Sequence, residues 1–389
     1  MYNKIVERGR KTLIKTYKVR LEPNNVQNTR MLKSAGTARW AYNWVLAKQK
    51  ENYELGNKFI QDGILRKELT QLKKSEEFSW LFEVSNDVAK QAVKDACNSY
   101  KRFFKKQANF PKFKSRKKSK PSFYNDTFKL KVDRDYVTLA KIGKVKISEK
   151  SRVPYGEVVY YNPRITFDGL NWYLSVGVES NEFQSDADLT DKSLGIDLGI
   201  KDLAILSNGK VYPNINRTQK VKKLKKKLRR MQRQVSRKYQ MNKDGDKFVK
   251  TKNVTKLETK IKKQYIKLTN IRTNYGQQIT TEIVRTKPSR IVVEDLNVKG
   301  MMKNKHLSKA IGEQSFYAFI ETLRYKCEEL GIEFVKANRW FPSSKTCSSC
   351  GNVKKDLKLT ERIYECDCCG KSIDRDLNAS INLARYTFI

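Results

Sequence analysis

The segment LGIDLGIKDLAIL, residues 194–206, alternates with the period of a pleated strand, Leu194, Ile196 and Leu198 against Gly195, Asp197 and Gly199. A carboxylate inside such a strand is costly unless it is paired, ligated or wet. Any fold for this chain must therefore bring Asp197 a partner from elsewhere in the sequence.

Two later segments repeat the pattern. In PSRIVVEDLNV, residues 288–298, the buried-strand run Ile291 to Val293 ends on Glu294 and Asp295. The helical pattern SFYAFIETLRYKCEELG follows, stopped by Gly331, and then a strand, IEFVKANRWF. In SIDRDLNASINLARY, Asp374 and Asp376 precede a helix expected to turn Leu377, Ile381 and Ala384 inward. Strands alternating with helices imply an α/β layer around a central mixed sheet.

Acids at a helix start are often simple caps. Acids at three edges of one sheet repel one another unless cations hold them, and hard oxygen ligands of this kind suit Mg²⁺. Two such ions would activate water and stabilise the leaving oxygen in phosphodiester hydrolysis, with no need of histidine. On this reading the glycines beside Asp197 let a nucleic-acid backbone come close.

Charge names the same partner. Lys and Arg number 82 against 41 Asp and Glu, a formal charge of +41 that a polyanion would offset. Residues 216–240 form a helix with Leu224, Leu228, Met231 and Val235 on one stripe. A second helix carries Leu257, Ile261, Tyr265, Leu268 and Ile271, and the two are expected to pair as a hairpin. Lys222, Lys225, Lys226, Arg229, Arg230 and Arg233 should then face outward and meet phosphates. The single histidine, His306, reads as an ordinary loop residue and excludes nuclease sites built on paired histidines.

CSSC at 347–350 and CDCCG at 366–370 give C-x2-C-x15-C-x2-C, the spacing of a four-thiolate zinc ribbon. Cys347, Cys350, Cys366 and Cys369 are the expected ligands of a structural Zn²⁺, with Cys368 spare. Cys97 and Cys327 read as core.

The first half differs in kind. Residues 12–22 read as a strand ended by Pro23. A long helix should follow with Leu32, Ala35, Trp40, Trp44 and Ala47 inward, then another with Val88, Ala92, Ala96, Tyr100 and Phe103 on one face. From Phe123 to Glu179 the period is two, which implies a small β-barrel or sandwich carrying the helices as an insertion, with a turn at Asp168 to Trp172. No apolar run approaches the ~20 residues of a membrane span. The start of the chain has no apolar signal core, so a soluble intracellular protein is expected.

GIDLGIKDLAILSNG, IVVEDLNVKGM, RWFPSSKTCSSCG and YECDCCGKSIDRDLNASINLAR together resemble TnpB, the transposon-encoded RNA-guided nucleases, and the C-terminal half of compact type V CRISPR effectors. The resemblance implies a multidomain α/β protein whose RNase H-like (RuvC) nuclease domain spans 194–389, with the basic hairpin 216–280 and a zinc ribbon 343–372 inserted. Residues 1–23 and 122–182 would be the barrel (wedge) domain, 24–121 a helical recognition insertion and 183–193 a linker. It assigns Asp197, Glu294 and Asp376 as catalytic triad and ligands of two Mg²⁺, with Mn²⁺ able to substitute; Asp374 is a neighbour. It also implies a guide RNA from the transposon end, double-stranded target DNA beside a short adjacent motif, no membrane, and a monomer in preference to an oligomer. The alternatives are a nuclease-inactive RNA-guided repressor and a DNA transposase.

Overall fold

The computed structural model describes residues 4–7, 10–180, 188–358 and 360–387, and the chain divides into two compact units, 1–181 and 182–389. In the first unit, strands β1 (Lys4–Glu7) and β2 (Arg10–Glu22) lead into helix α1 (Asn25–Glu54). Pro23 ends β2, and Asn24 and Gln27 start α1 with reciprocal side-chain to backbone hydrogen bonds of 2.9 and 3.0 Å. Helix α2 (Asp62–Leu72), a 3-10 turn at Glu76–Glu83 and helix α3 (Asn86–Phe104) follow.

Strands β3 (Ser122–Tyr124), β4 (Lys131–Val132), β5 (Tyr136–Leu139), β6 (Gly143–Ile147), β7 (Tyr160–Phe167) and β8 (Trp172–Ser180) complete an antiparallel sheet in the order β3-β7-β8-β2-β6-β5-β4, with β1 on β2. The turn between β7 and β8 falls at Asp168–Asn171, as the sequence implies. Sheet and helices share one hydrophobic core, in which Val19 and Trp172 join Met31, Val93 and Ala96. A bidentate Arg164–Asp95 pair, 2.6 and 2.9 Å, ties β7 to α3.

The expected phase of α1 is off. Leu32 and Ala47 are exposed, and the buried stripe is Met31, Ala35, Ala38, Ala41, Tyr42, Val45 and Leu46. Trp40 and Trp44 are half-buried because a second surface covers them, Trp40 lying 5.6 Å from Phe78 and 5.3 Å from Trp80. A helix packed on two sides has no single apolar phase to read.

In the second unit, β9 (Thr190–Asp197), β10 (Asp202–Leu206) and β11 (Val211–Pro213) precede the basic helix α4 (Gln219–Met241). A two-rung ribbon, β12 (Lys243–Asp244) and β13 (Lys247–Phe248), joins α4 to α5 (Lys252–Arg285). Then come β14 (Pro288–Glu294), the short helices α6 (Val298–Met301) and α7 (Ser308–Gln314), α8 (Phe316–Leu330) and β15 (Glu333–Ala337). The chain closes with the hairpin β16 (Ile363–Glu365) and β17 (Ser372–Asp374) and helix α9 (Arg375–Ala384).

The five-stranded sheet is mixed, as expected, in the order β11-β10-β9-β14-β15, with β9, β14 and β15 parallel. One face buries Ile196, Ile291 and Val293 against Ile279, Ile283, Phe319 and Leu323 of α5 and α8. The other buries Val292 and Val335 against Leu383 and Tyr386 at α9. Gly331, at φ +72°, stops α8.

Of the stretch expected as a linker, residues 183–187 lie outside the described residues, while Thr190 to Ser193 belong to β9. Their polar side chains are consistent with a strand because this end is exposed, and the Thr190 amide donates to the Lys287 carbonyl at 2.8 Å.

Candidate active site and cysteine cluster

Parallel pairing sets Val292 opposite Gly195 and Val293 opposite Ile196. One residue further, Asp197 and Glu294 end adjacent parallel strands on the face that α9 covers. The C-terminal edge of parallel strands is where open α/β sheets place their sites. Asp376 reaches the same edge from the first turn of α9, where the helix dipole favours an acid.

Gly195 serves a different purpose from the one expected. A Cβ there would lie 2.0 Å from the Ser380 carbonyl oxygen and 2.4 Å from the Ala384 nitrogen. The bare backbone of β9 lets α9, and no nucleic acid, come close at this position. At Gly199 a Cβ would meet the Asp202 carbonyl at 3.1 Å, so the turn into β10 crowds that residue too. The same packing shifts the phase of α9. Its buried residues are Asn378, Ala379, Ser380, Asn382 and Leu383, while Leu377, Ile381 and Ala384 are half-buried.

Burial pushes the Asp197 carboxyl well above the usual carboxylate range, and Glu294, Asp376 and Asp374 add like-charge repulsion against relief from Arg375. The other acids have partners of their own. Glu294 accepts 2.6 Å from the Ser343 hydroxyl. Asp376 lies 3.7 Å from Arg362 and 3.6 Å from Arg375. Asp374 is the N-cap of α9, accepting from the Asp376 and Leu377 amides at 3.0 Å each. Asp295 turns to Arg339, at 2.6 Å. Among the described residues only four cysteines gather their ligand atoms within 4.8 Å of one another; the three carboxylates stand farther apart than that. Their oxygens are nevertheless the hard donor set a Mg²⁺ would take.

Those cysteines are Cys347, Cys350, Cys366 and Cys369, without Cys368. Four thiolates at ~2.3 Å from one zinc stand about 3.8 Å apart, and the sulfurs of Cys347 and Cys369 lie at 3.6 Å, those of Cys350 and Cys366 at 3.5 Å. Backbone amides of Cys369 and Cys368 draw the Cys366 thiol down to about 6, while at Cys350 the Asn352 amide is outweighed by the neighbouring sulfurs, which push the thiol up to about 12. The cluster fits a tetrahedral metal.

Two residues that sequence reasoning missed link this cluster to the acids. Buried Asn378 accepts from the Ser348 amide at 2.9 Å and donates to the Thr346 carbonyl at 2.7 Å. Asn382, one turn on, donates to the carbonyls of Thr346 and Ser343 at 2.6 and 2.8 Å. Both stand on α9, the helix that carries Asp376. Two asparagines at i and i+4 amid apolar neighbours were the available signal.

On the hairpin α4–α5, Val221, Leu228 and Leu268 form the seam, while Tyr265 is exposed and held by Gln232 at 2.6 Å. Lys222, Lys226, Arg229, Arg230 and Arg233 are exposed. Lys225 is not: it is half-buried in a 2.6 Å pair with Glu313, which Arg272 also approaches at 3.3 Å. No helix of the described residues is long and apolar enough to cross a membrane.

Residues 175–305 match a family model described as "Probable transposase", residues 316–383 one described as "Cas12f1-like, TNB domain" and residues 13–58 one described as "Helix-turn-helix domain". Here residues 13–58 form the end of β2 and the single long helix α1. Two relatives carry the name "Putative RNA-guided DNA endonuclease". InsQ of Escherichia coli (strain K12) is 30% identical over 385 residues, 95% of this chain and 91% of its own. The Streptomyces pristinaespiralis protein is 30% identical over 370 residues, 95% and 88% of the two chains. The cryo-EM structure of a Cas12f1–sgRNA–target DNA complex aligns at a TM-score of 0.59 and 13% identity, covering 96% of this chain and 99% of that one, so the mixed α/β fold is shared.

Proposed function

The chain belongs to the TnpB family of transposon-associated proteins, and from that premise we propose that it is an RNA-guided DNA endonuclease with one RuvC-type site built from Asp197, Glu294 and Asp376. The observation that carries the site assignment is the sheet register, which brings Asp197 and Glu294 to the ends of adjacent parallel strands on the face where α9 presents Asp376 in its first turn. None of the three acids is replaced, which speaks against a nuclease-inactive repressor.

Asp197, Glu294 and Asp376 would hold two Mg²⁺, with Mn²⁺ an acceptable substitute, and bound there the ions would supply an activated water and charge stabilisation for the leaving oxygen. The protein's own groups do the rest. Ser343 orients Glu294 through its hydroxyl, and the N-terminus of α9 holds Asp376 beside the sheet. Arg362 and Arg375 neutralise Asp376 and stand ready to meet phosphate oxygens. The cysteine cluster would bind structural Zn²⁺ and fold its loops onto α9 through Asn378 and Asn382.

The RNA would come from the transposon end and carry the guide, so that base pairing supplies sequence specificity and the protein reads a short adjacent DNA motif. The exposed cations of α4 would follow a phosphate backbone, and the charge of +41 suits two nucleic acids at once. We place this work in the prokaryotic cytosol, on the nucleoid when DNA is bound, with a single chain per RNA.

Purifying the chain from cells that carry its native flanking DNA, and sequencing the RNA that comes with it, tests the guided reading. One abundant RNA ending in variable sequence is expected; its absence would overturn guiding. A DNA transposase is the second reading, favoured by the description of the model matched over residues 175–305. Joining of cut ends to a second DNA would mark it.

A further inference from the structure

Trp340 is 87% exposed, whereas Trp172 is 2% exposed and Trp44 and Trp80 each pack against Trp40. Among the described residues no aromatic ring covers its indole. Single exposed apolar residues are common; this one differs in that the backbone on both sides of it is pinned beside the acids. This loop is held. Arg339 donates to the Asp295 carboxylate at 2.6 Å and to its carbonyl at 3.3 Å. The Trp340 amide donates to the Asn338 side chain at 2.9 Å, and the Asn338 amide to the Tyr386 hydroxyl at 3.2 Å. The Phe341 ring sits 5.0 Å from that of Tyr386, and Ser343 bonds Glu294 at 2.6 Å.

The residue before Trp340 is therefore fixed to Asp295, and the residue three after it to Glu294, a member of the proposed site. An indole is held out to solvent at the rim of the carboxylates, with the half-exposed guanidinium of Arg362 beside Asp376 on the same rim. We propose that Trp340 is a stacking platform for one unpaired nucleobase of the strand that enters the carboxylate site, fixing the register of the phosphate to be cut. A fixed aromatic face suits any base, so the contact orders the strand and leaves sequence choice to the guide. The guanidinium groups of Arg339 and Arg362 would flank it on the phosphate side.

The inference rests on the nuclease reading above, and one experiment separates their failures. The RNA-loaded chain is given Mg²⁺ and target DNA in which a single abasic nucleotide is walked along the cut strand. With wild type, one or two positions next to the cut should slow cleavage about tenfold or more, the loss of one stacked base. Trp340→Ala should slow cleavage of intact DNA by a similar factor, chiefly through KM, and show no further loss at those positions. Trp340→Phe should restore both. Equal rates for Trp340→Ala and wild type, or the same abasic penalties in both, would overturn the platform while leaving the nuclease intact. Failure of wild type to cut any intact target would sink the nuclease reading and the platform with it.

Discussion

Gly195 of β9 and Ser380 of α9 are so close that a Cβ on the glycine would lie 2.0 Å from the serine's carbonyl oxygen. That contact sets the distance between the strand that ends on Asp197 and the helix whose first turn carries Asp376. Gly195→Ala must therefore push α9 off the sheet. Overpacking against backbone should cost about 3 kcal/mol of unit stability and lower cleavage by more than tenfold. Urea unfolding of the full chain measures the first; an unchanged midpoint would mean that α9 does not pack as described.

Asp197 is the converse case, a native group that destabilises the metal-free fold. Its carboxyl is raised, so the folded chain binds this proton more tightly than the unfolded chain, and stability is lost as pH rises through the raised value. Without added Mg²⁺, Asp197→Asn should melt higher than wild type at pH 8, by about 2–4 °C per kcal/mol relieved. The gap should shrink toward pH 4. A lower melting temperature for the variant at pH 8 would contradict the proposed crowding of acids.

The ribbon should matter to the acids without touching DNA chemistry. Asn378→Ala breaks the bonds from α9 to Ser348 and Thr346 and leaves buried partners unsatisfied, a cost of about 1–3 kcal/mol. Cleavage should fall severalfold while the chain keeps its zinc, measured by metal analysis. Full activity in that variant would separate the ribbon from the site. Cys350→Ser should lower zinc content and melting temperature together.

Lys326 offers a pH test remote from the acids. Burial lowers its ammonium to about 8, although it donates to the Gln277 carbonyl, Thr280 and Thr281 at 2.7 to 2.9 Å. A lysine lowered on folding releases its proton more readily in the native state, so its contribution grows as pH rises from about 8 to the ordinary lysine value. Relative to Lys326→Met, wild type should gain stability across that range. Parallel melting curves for the two chains would contradict the shift.

The strands that end on Asp197 and Glu294 were legible because a parallel core strand is apolar until the residue that leaves it. The cysteine cluster was legible from spacing alone, since a tetrahedral site needs little beyond two close pairs. What escaped the sequence depends on partners distant in the chain. Gly195 looks like room for a ligand until α9 is seen lying on it. Lys225 is one of a uniform run of cations until Glu313 arrives from α7. Asn378 and Asn382 carry no role in the sequence alone, because their partners at Ser343, Thr346 and Ser348 lie 30 to 39 residues earlier in the chain. The inward phases of α1 and α9 were misread for one reason: each helix is covered on more than one side.

The most direct test reconstitutes the chain with a programmed guide RNA, Mg²⁺ and matching double-stranded DNA. Wild type should cut both strands only when the guide matches and a suitable adjacent motif is present. Asp197→Ala, Glu294→Ala and Asp376→Ala should each abolish cutting while retaining RNA-dependent DNA binding. Guided cutting that survives loss of any one of the three acids would contradict the site as described.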